Sequence, residues 1–206
     1  MRPGGARGVS VAFGALAAVL TACGGPPDGS AGMSATEFAR PYHLPVATLT
    51  DQRGEPFELH AGGRGKLTLL YFGYTHCPDI CPITMARVAR ALELLEPDER
   101  AQVRTIFVTL DADRDDPERL ARWLGAIDPT FIGLTGSQDE LDAALGAFGY
   151  VMPPGADRST ADYEVAHPPT LFLFTREPLG RFGYAHGVES PELLAADLQR
   201  LLEAER

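Results

Sequence analysis

Apolar positions divide the chain into a regular series of elements. Leu67-Thr68-Leu69-Leu70-Tyr71-Phe72 is apolar nearly throughout, the pattern of a central strand buried on both faces. Met85, Val88, Leu92 and Leu95 then recur at helical spacing, which predicts a helix from Pro82 to Leu95 with its apolar face on the sheet. Pro97-Asp98-Glu99-Arg100 ends that helix. Val103 to Leu110, β-branched and apolar, is a second central strand. Asp116 as N-cap and Pro117 in the first helical position open a helix to about Ile127. Phe131 to Leu134 is a short strand, and Ser137 with Glu140 makes a capping box for a helix reaching Phe148. The Pro- and Gly-containing stretch from Gly149 to Thr160 predicts a loop. Thr170 to Phe174 is a strand with Gly180 to Tyr184 as hairpin partner. Ser190 and Pro191 cap a last helix whose core face is Leu194, Leu198, Leu201 and Leu202.

Ahead of the central strand, Leu44 to Leu49 and Phe57-Glu58-Leu59 flank the turn Thr50 to Glu55 and predict an N-terminal β-hairpin. Gly62-Gly63-Arg64-Gly65 lacks the lysine and hydroxyl pattern of a phosphate loop and predicts a plain turn. Strand-helix-strand order implies right-handed crossovers, hence an α/β fold with a mixed central sheet flanked by helices. A chain of 206 residues holds one ordinary domain.

The first 42 residues follow another logic. Arg2 and Arg7 precede the apolar run Val9 to Leu20, which is too short to span a bilayer comfortably. A cleaved export signal is the prediction. Its end, Leu20-Thr21-Ala22-Cys23, resembles a bacterial lipobox. That resemblance implies a signal peptide over 1–22, lipid attachment at Cys23 and a membrane-anchored lipoprotein facing the periplasm or extracytoplasmic space. A flexible Gly-, Pro-, Ser- and Ala-rich tether over 23–42 would then carry a domain over 43–206. The net charge of −10 excludes nucleic acid as a partner, since that role needs a basic face.

With Cys23 lipidated, two of the three cysteines remain, Cys77 and Cys81. They stand four apart where the central strand hands over to a helix N-terminus, a position where the helix dipole lowers thiol pKa. Positions i and i+4 on one helical face bring two sulfurs together. Outside the cytoplasm such a pair forms a disulfide when oxidised, or binds a metal; by itself it fits both equally. Thiolates favour Cu(I), and imidazole suits copper in either state and zinc. Two cysteines and one histidine suit copper and fall one ligand short of a closed structural zinc site. His167, just before Pro168-Pro169-Thr170 at the start of a buried strand, is the candidate histidine, on a loop that looks like the cis-proline loop of thioredoxin-like folds. His76 is a candidate supporting group. His43, His60 and His186 read as ordinary histidines, and Met85 as core in preference to a copper thioether.

Gly73-Tyr74-Thr75-His76-Cys77-Pro78-Asp79-Ile80-Cys81-Pro82 resembles the signature of the Sco/SenC copper chaperones. Leu110-Asp111-Ala112-Asp113-Arg114-Asp115-Asp116-Pro117 resembles that family's Asp-Pro-x-Arg-Asp-Thr-Pro loop, and Tyr163-Glu164-Val165-Ala166-His167 its Tyr-x-Val-x-His segment. The resemblance spans roughly residues 44–203. It implies a thioredoxin-like fold with an added N-terminal β-hairpin, and one copper, Cu(I) or Cu(II), held by Cys77, Cys81 and His167. It also implies a metallochaperone rather than an enzyme, acting in assembly of the dinuclear copper centre of cytochrome c oxidase subunit II. A periplasmic copper donor and a thiol reductant are the other partners implied. The alternative is a thiol-disulfide reductase in which Cys77 and Cys81 act as a redox pair; a peroxidase is a distant third. Two positions depart from the pattern. Ala112 replaces a proline, and Pro168 follows the histidine where Ser or Thr is common, which stiffens that loop and adds slight weight to the thiol-disulfide alternative. The acidic loop Asp111 to Asp116 is expected to be a capped, solvated turn, with contact to a partner as the other reading.

Overall fold

The computed structural model describes residues 1, 32–151 and 163–206. The export signal, Cys23 and most of the predicted loop from Gly149 to Thr160 lie outside them. In chain order the elements are β1 (Thr36–His43), β2 (Thr48–Asp51), β3 (Pro56–Glu58), α1 (Leu59–Gly63), β4 (Leu67–Gly73), α2 (Ile80–Glu93), α3 (Pro97–Arg100), β5 (Val103–Thr109), α4 (Pro117–Gly125), β6 (Ile132–Thr135), α5 (Gln138–Gly146), β7 (Leu171–Phe174), β8 (Leu179–Tyr184) and α6 (Pro191–Ala204).

All eight strands form one mixed sheet in the order β1-β8-β7-β4-β5-β6-β2-β3. β4 pairs parallel with β5 from Leu67↔Val103 to Gly73↔Thr109, and antiparallel with β7. Every residue of β4 is buried, as its unbroken apolar run requires of a strand covered on both faces. Alternation separates those faces. Phe72 joins Phe172 and Phe148 in an aromatic cluster, with the Phe148 ring 4.7 Å from Phe172 and 5.2 Å from Phe72. Tyr71 and Phe107 point the other way, where Trp123 of α4 packs 5.0 Å from Phe107. On that side Gly133 gives α4 its seat: a Cβ there would come within 2.6 Å of Leu124 and 3.1 Å of Leu120.

The capping signals act as expected. Asp116 accepts from the Arg119 N–H, Ser137 and Glu140 form a capping box, and the Ser190 side chain accepts from Leu193. β2 and β3 form the N-terminal hairpin, and β2 also joins the sheet edge at β6.

Four expectations need correction. The tether expected over 23–42 is too long, because β1 occupies Thr36–His43 and pairs with β8 along the far edge. Its start is held by Asp197, a buried carboxylate that accepts from the backbone N–H groups of Ser34 and Ala35, the Ser34 hydroxyl at 2.6 Å and the Tyr184 hydroxyl at 2.6 Å. That long-range anchor, about 160 residues away in sequence, is invisible to local composition. The glycines after Leu59 partly belong to a short helix, since Glu58 caps α1 by accepting from the His60 and Ala61 N–H groups. Pro97 to Arg100 forms its own helical turn with a capping box instead of merely ending α2. No peptide bond is cis among the described residues, so the Pro168-Pro169 loop reaches β7 without the expected cis proline. No helix among the described residues is long and apolar enough to cross a membrane.

Candidate metal centre

The central strand delivers the site. β4 ends at Gly73, whose carbonyl accepts from the Leu110 N–H at 2.8 Å, and the chain turns through Tyr74 to Asp79 before α2 begins at Ile80. The helix therefore starts two residues ahead of the expected Pro82. Cys81 lies in its first turn, while Cys77 lies in the preceding turn, its N–H bonded to the Tyr74 carbonyl at 3.3 Å. The two sulfurs converge through that turn rather than along one helical face. Gly73 makes room for one of them: a Cβ there would lie 3.0 Å from Cys81 Sγ and from the Tyr71 and Phe107 rings.

His167 arrives from the segment that leads into β7. Its Nε2 lies 3.3 Å from Cys81 Sγ, and ligand atoms of Cys77, Cys81 and His167 all fall within 4.8 Å of one another. Both thiols are free. The imidazole stands edge-on to Tyr71 and Tyr74, with ring centres 5.9 and 5.8 Å away. Its Nδ1 lies 3.1 Å from the Pro168 carbonyl. A carbonyl only accepts, so Nδ1 carries the proton and Nε2 presents its lone pair toward the sulfurs. Pro168 thus acts through its backbone oxygen, which selects the tautomer a metal needs.

Cys81 has no exposed surface. Burial pushes its thiol up to about 12, helped by neighbouring Cys77 and opposed by a backbone hydrogen bond from Tyr74. The expectation that the helix N-terminus lowers the thiol pKa fails at Cys81, because desolvation outweighs the dipole. Burial also pushes His167 below its ordinary value, so the ring is neutral at pH 7. Metal uptake must then displace the Cys81 proton, while His167 offers none to displace near neutrality. If Cys81 is a ligand, affinity for a thiolate-binding metal should rise about tenfold per pH unit between roughly pH 6 and 8 from Cys81 alone. Chelator competition across that range checks the slope, and a flat profile would remove Cys81 thiolate from the bound state.

Cys77 is half-buried and borders a cleft of about 500 Å³ with Tyr74, Pro78, Ile80, Val165 and Pro169. Asp79, Glu164 and His186 also line it. His186, expected to be ordinary, thus sits at the mouth of the site; nothing in its local sequence signals this, because the β8-to-α6 loop brings it there. His60 is ordinary, with Nδ1 on the Leu44 carbonyl at 3.0 Å. Met85 is core. His76 is exposed and sits 3.8 Å from Asp115, forming with Asp111 and Asp115 a second group of potential ligands. The solvated-turn expectation for the acidic loop fails at two of its members. Asp111 and Asp115 are fully buried, Asp115 under the cysteine loop and Asp111 against Tyr163.

A sheet whose central strand runs into a turn-helix bearing two thiols, faced by a loop before an antiparallel strand, defines a thioredoxin-like domain. Comparison with known proteins narrows the class. The SCO1/SenC family profile matches residues 36–203, and the chain belongs to that family. It is 33% identical over 135 residues to the mitochondrial protein SCO2 of Saccharomyces cerevisiae, covering 65% of this chain and 44% of that one, so the chain spans less than half of that relative's length. The apo Sco1 protein of Thermus thermophilus superposes with a TM-score of 0.73 at 34% identity, covering 82% of this chain and 96% of that one. Copper-bound ScoI of Bradyrhizobium japonicum superposes at 0.65 with 31% identity, covering 78% and 97%.

Proposed function

We propose that this protein is a membrane-tethered copper chaperone. Cys77, Cys81 and His167 bind one copper ion as cargo, Cu(I) through the two thiolates with the imidazole completing the set and favouring Cu(II) as well. The observation that carries this reading is the mutual reach of the two sulfurs and the imidazole within 4.8 Å. The donor chemistry fits: two soft sulfurs, one neutral nitrogen with its lone pair directed inward, and, among the described residues, no fourth ligand within the same reach to close a zinc site. The family's place among copper-binding proteins in cytochrome c oxidase assembly supports the setting. The recipient in this reading is subunit II of that oxidase, reached by ligand exchange with its thiolates at the Cys77 side of the cleft. A lipid on Cys23 holds the domain at the extracytoplasmic membrane face, and a copper donor loads it.

The half-exposed Cys77 beside fully buried Cys81 also favours a second reading, thiol-disulfide exchange that keeps the oxidase cysteines reduced. Deletion of the gene separates the two. Copper delivery predicts loss of oxidase activity on low copper that added copper restores; restoration by a thiol reductant and not by copper would favour exchange.

A further inference from the structure

Asp111 and Asp115 are the two carboxylate residues with no exposed surface among the described residues. They stand four apart on one loop, and each grips a different arm of the candidate site. Asp115 accepts from the Thr75 N–H at 2.8 Å, the Thr75 hydroxyl at 2.5 Å and the Thr109 hydroxyl at 2.6 Å. Thr75 is two residues from Cys77, and Arg119 Nε donates to the same hydroxyl at 2.9 Å. Asp111 accepts from the Tyr163 hydroxyl and from Arg114 Nε, the latter at 2.5 Å. Arg114 also donates to the Tyr163 carbonyl at 2.9 Å and lies 3.5 Å over its ring. Tyr163 is four residues from His167. The loop between the carboxylates is closed on itself, with the Arg114 and Asp115 N–H groups donating to the Asp111 carbonyl at 3.2 and 3.0 Å.

Neither carboxylate touches Cys77, Cys81 or His167 through any of these bonds. We propose that the Asp111–Asp115 turn is a brace that sets the separation of the cysteine arm and the histidine arm, so that Asp111 and Asp115 are positioning residues for the metal centre. The two arms are about 90 residues apart in sequence, and this turn is a rigid link between them. Removing an acceptor from a buried cluster of this kind strands several donors at once and releases the arm they hold. The proposal rests on the copper reading above for its consequence, and on the hydrogen-bond geometry of the two arms for its existence.

The test uses Asp115→Asn, Asp111→Asn, the double variant, Thr75→Ser and Thr75→Val in the full chain. Each Asp→Asn change should weaken copper binding by about 10–100-fold, the usual cost of losing an outer partner. The double variant should lose less than the product of the singles, because both act through one turn. Thr75→Ser, which keeps the hydroxyl, should bind as the wild type does, and Thr75→Val should not. In the metal-free protein, Asp115→Asn should speed amide exchange not only over 75–81 but also over 163–167. A lowered melting temperature with wild-type copper affinity, and exchange changes confined to the nearer arm, would overturn the brace. Should Asp115→Asn fail to fold, Thr75→Val loosens the same arm by removing the hydroxyl bonds to Asp115 and Arg119 while the residue-75 N–H bond to Asp115 stays. Absence of copper uptake by the wild type would defeat the copper reading, while exchange in the metal-free protein would still decide the brace.

Discussion

Replacing Cys81 by Ser should abolish tight copper uptake while leaving the domain folded. The sulfur is fully buried and is the innermost of the three donors, 3.3 Å from His167 Nε2. Serine is close in size but offers a hard hydroxyl in place of a soft thiolate, and Cu(I) discriminates strongly between them. The loss should exceed the roughly 10–100-fold expected for an outer partner. His167→Ala should cost less for Cu(I), which keeps both sulfurs, and more for Cu(II), which depends on nitrogen. Competition with a colorimetric Cu(I) chelator measures the first effect. Wild-type affinity in Cys81→Ser would mean that this sulfur is not a ligand.

Phe172→Ala carries the largest expected effect on stability. Phe172 is 1% exposed on β7, an interior strand that pairs with β4 and β8. Its ring lies 4.7 Å from Phe148, 5.7 Å from Tyr42, 5.8 Å from Phe38 and 6.4 Å from Phe72. Those partners come from β1, β4 and the segment after α5, so one truncation opens a void shared by three parts of the chain. The cost is about 3–5 kcal/mol, a large share of the roughly 5–15 kcal/mol that holds a domain together. Melting should fall by between about 6 and 20 °C. A shift under about 2 °C would show that the cluster relaxes around the void.

Most of the architecture was legible because local signals agreed with the global fold. The run Leu67 to Phe72 announced a doubly buried strand, and Asp116-Pro117, Ser137/Glu140 and Ser190-Pro191 announced helix starts. Cys77, Cys81 and His167 were legible too, partly from thiol and imidazole chemistry and partly from the family resemblance of the segments that carry them. What escaped depended on distant partners. β1 follows a Gly-, Pro-, Ser- and Ala-rich stretch and carries Arg40 and Pro41, so its local pattern announces no strand; it becomes one because Asp197 and β8 hold it. Cys81 was expected to have a lowered thiol pKa from its helix terminus, but burial under Tyr71 and the sheet reverses the direction. His186 reaches the cleft only through its loop's path. Asp111 and Asp115 look like solvated loop charges, and only the fold shows the hydroxyl, amide and guanidinium groups that make them interior.

The central claim is that Cys77, Cys81 and His167 form one copper site, and direct titration tests it. Reduced wild-type protein, titrated anaerobically with Cu(I) against a competing chelator, should take up one tightly held ion per chain, with uptake lost in Cys81→Ser and weakened in His167→Ala. No uptake by the wild type, with thiol-disulfide exchange intact in His167→Ala, would contradict the copper site and leave a redox pair.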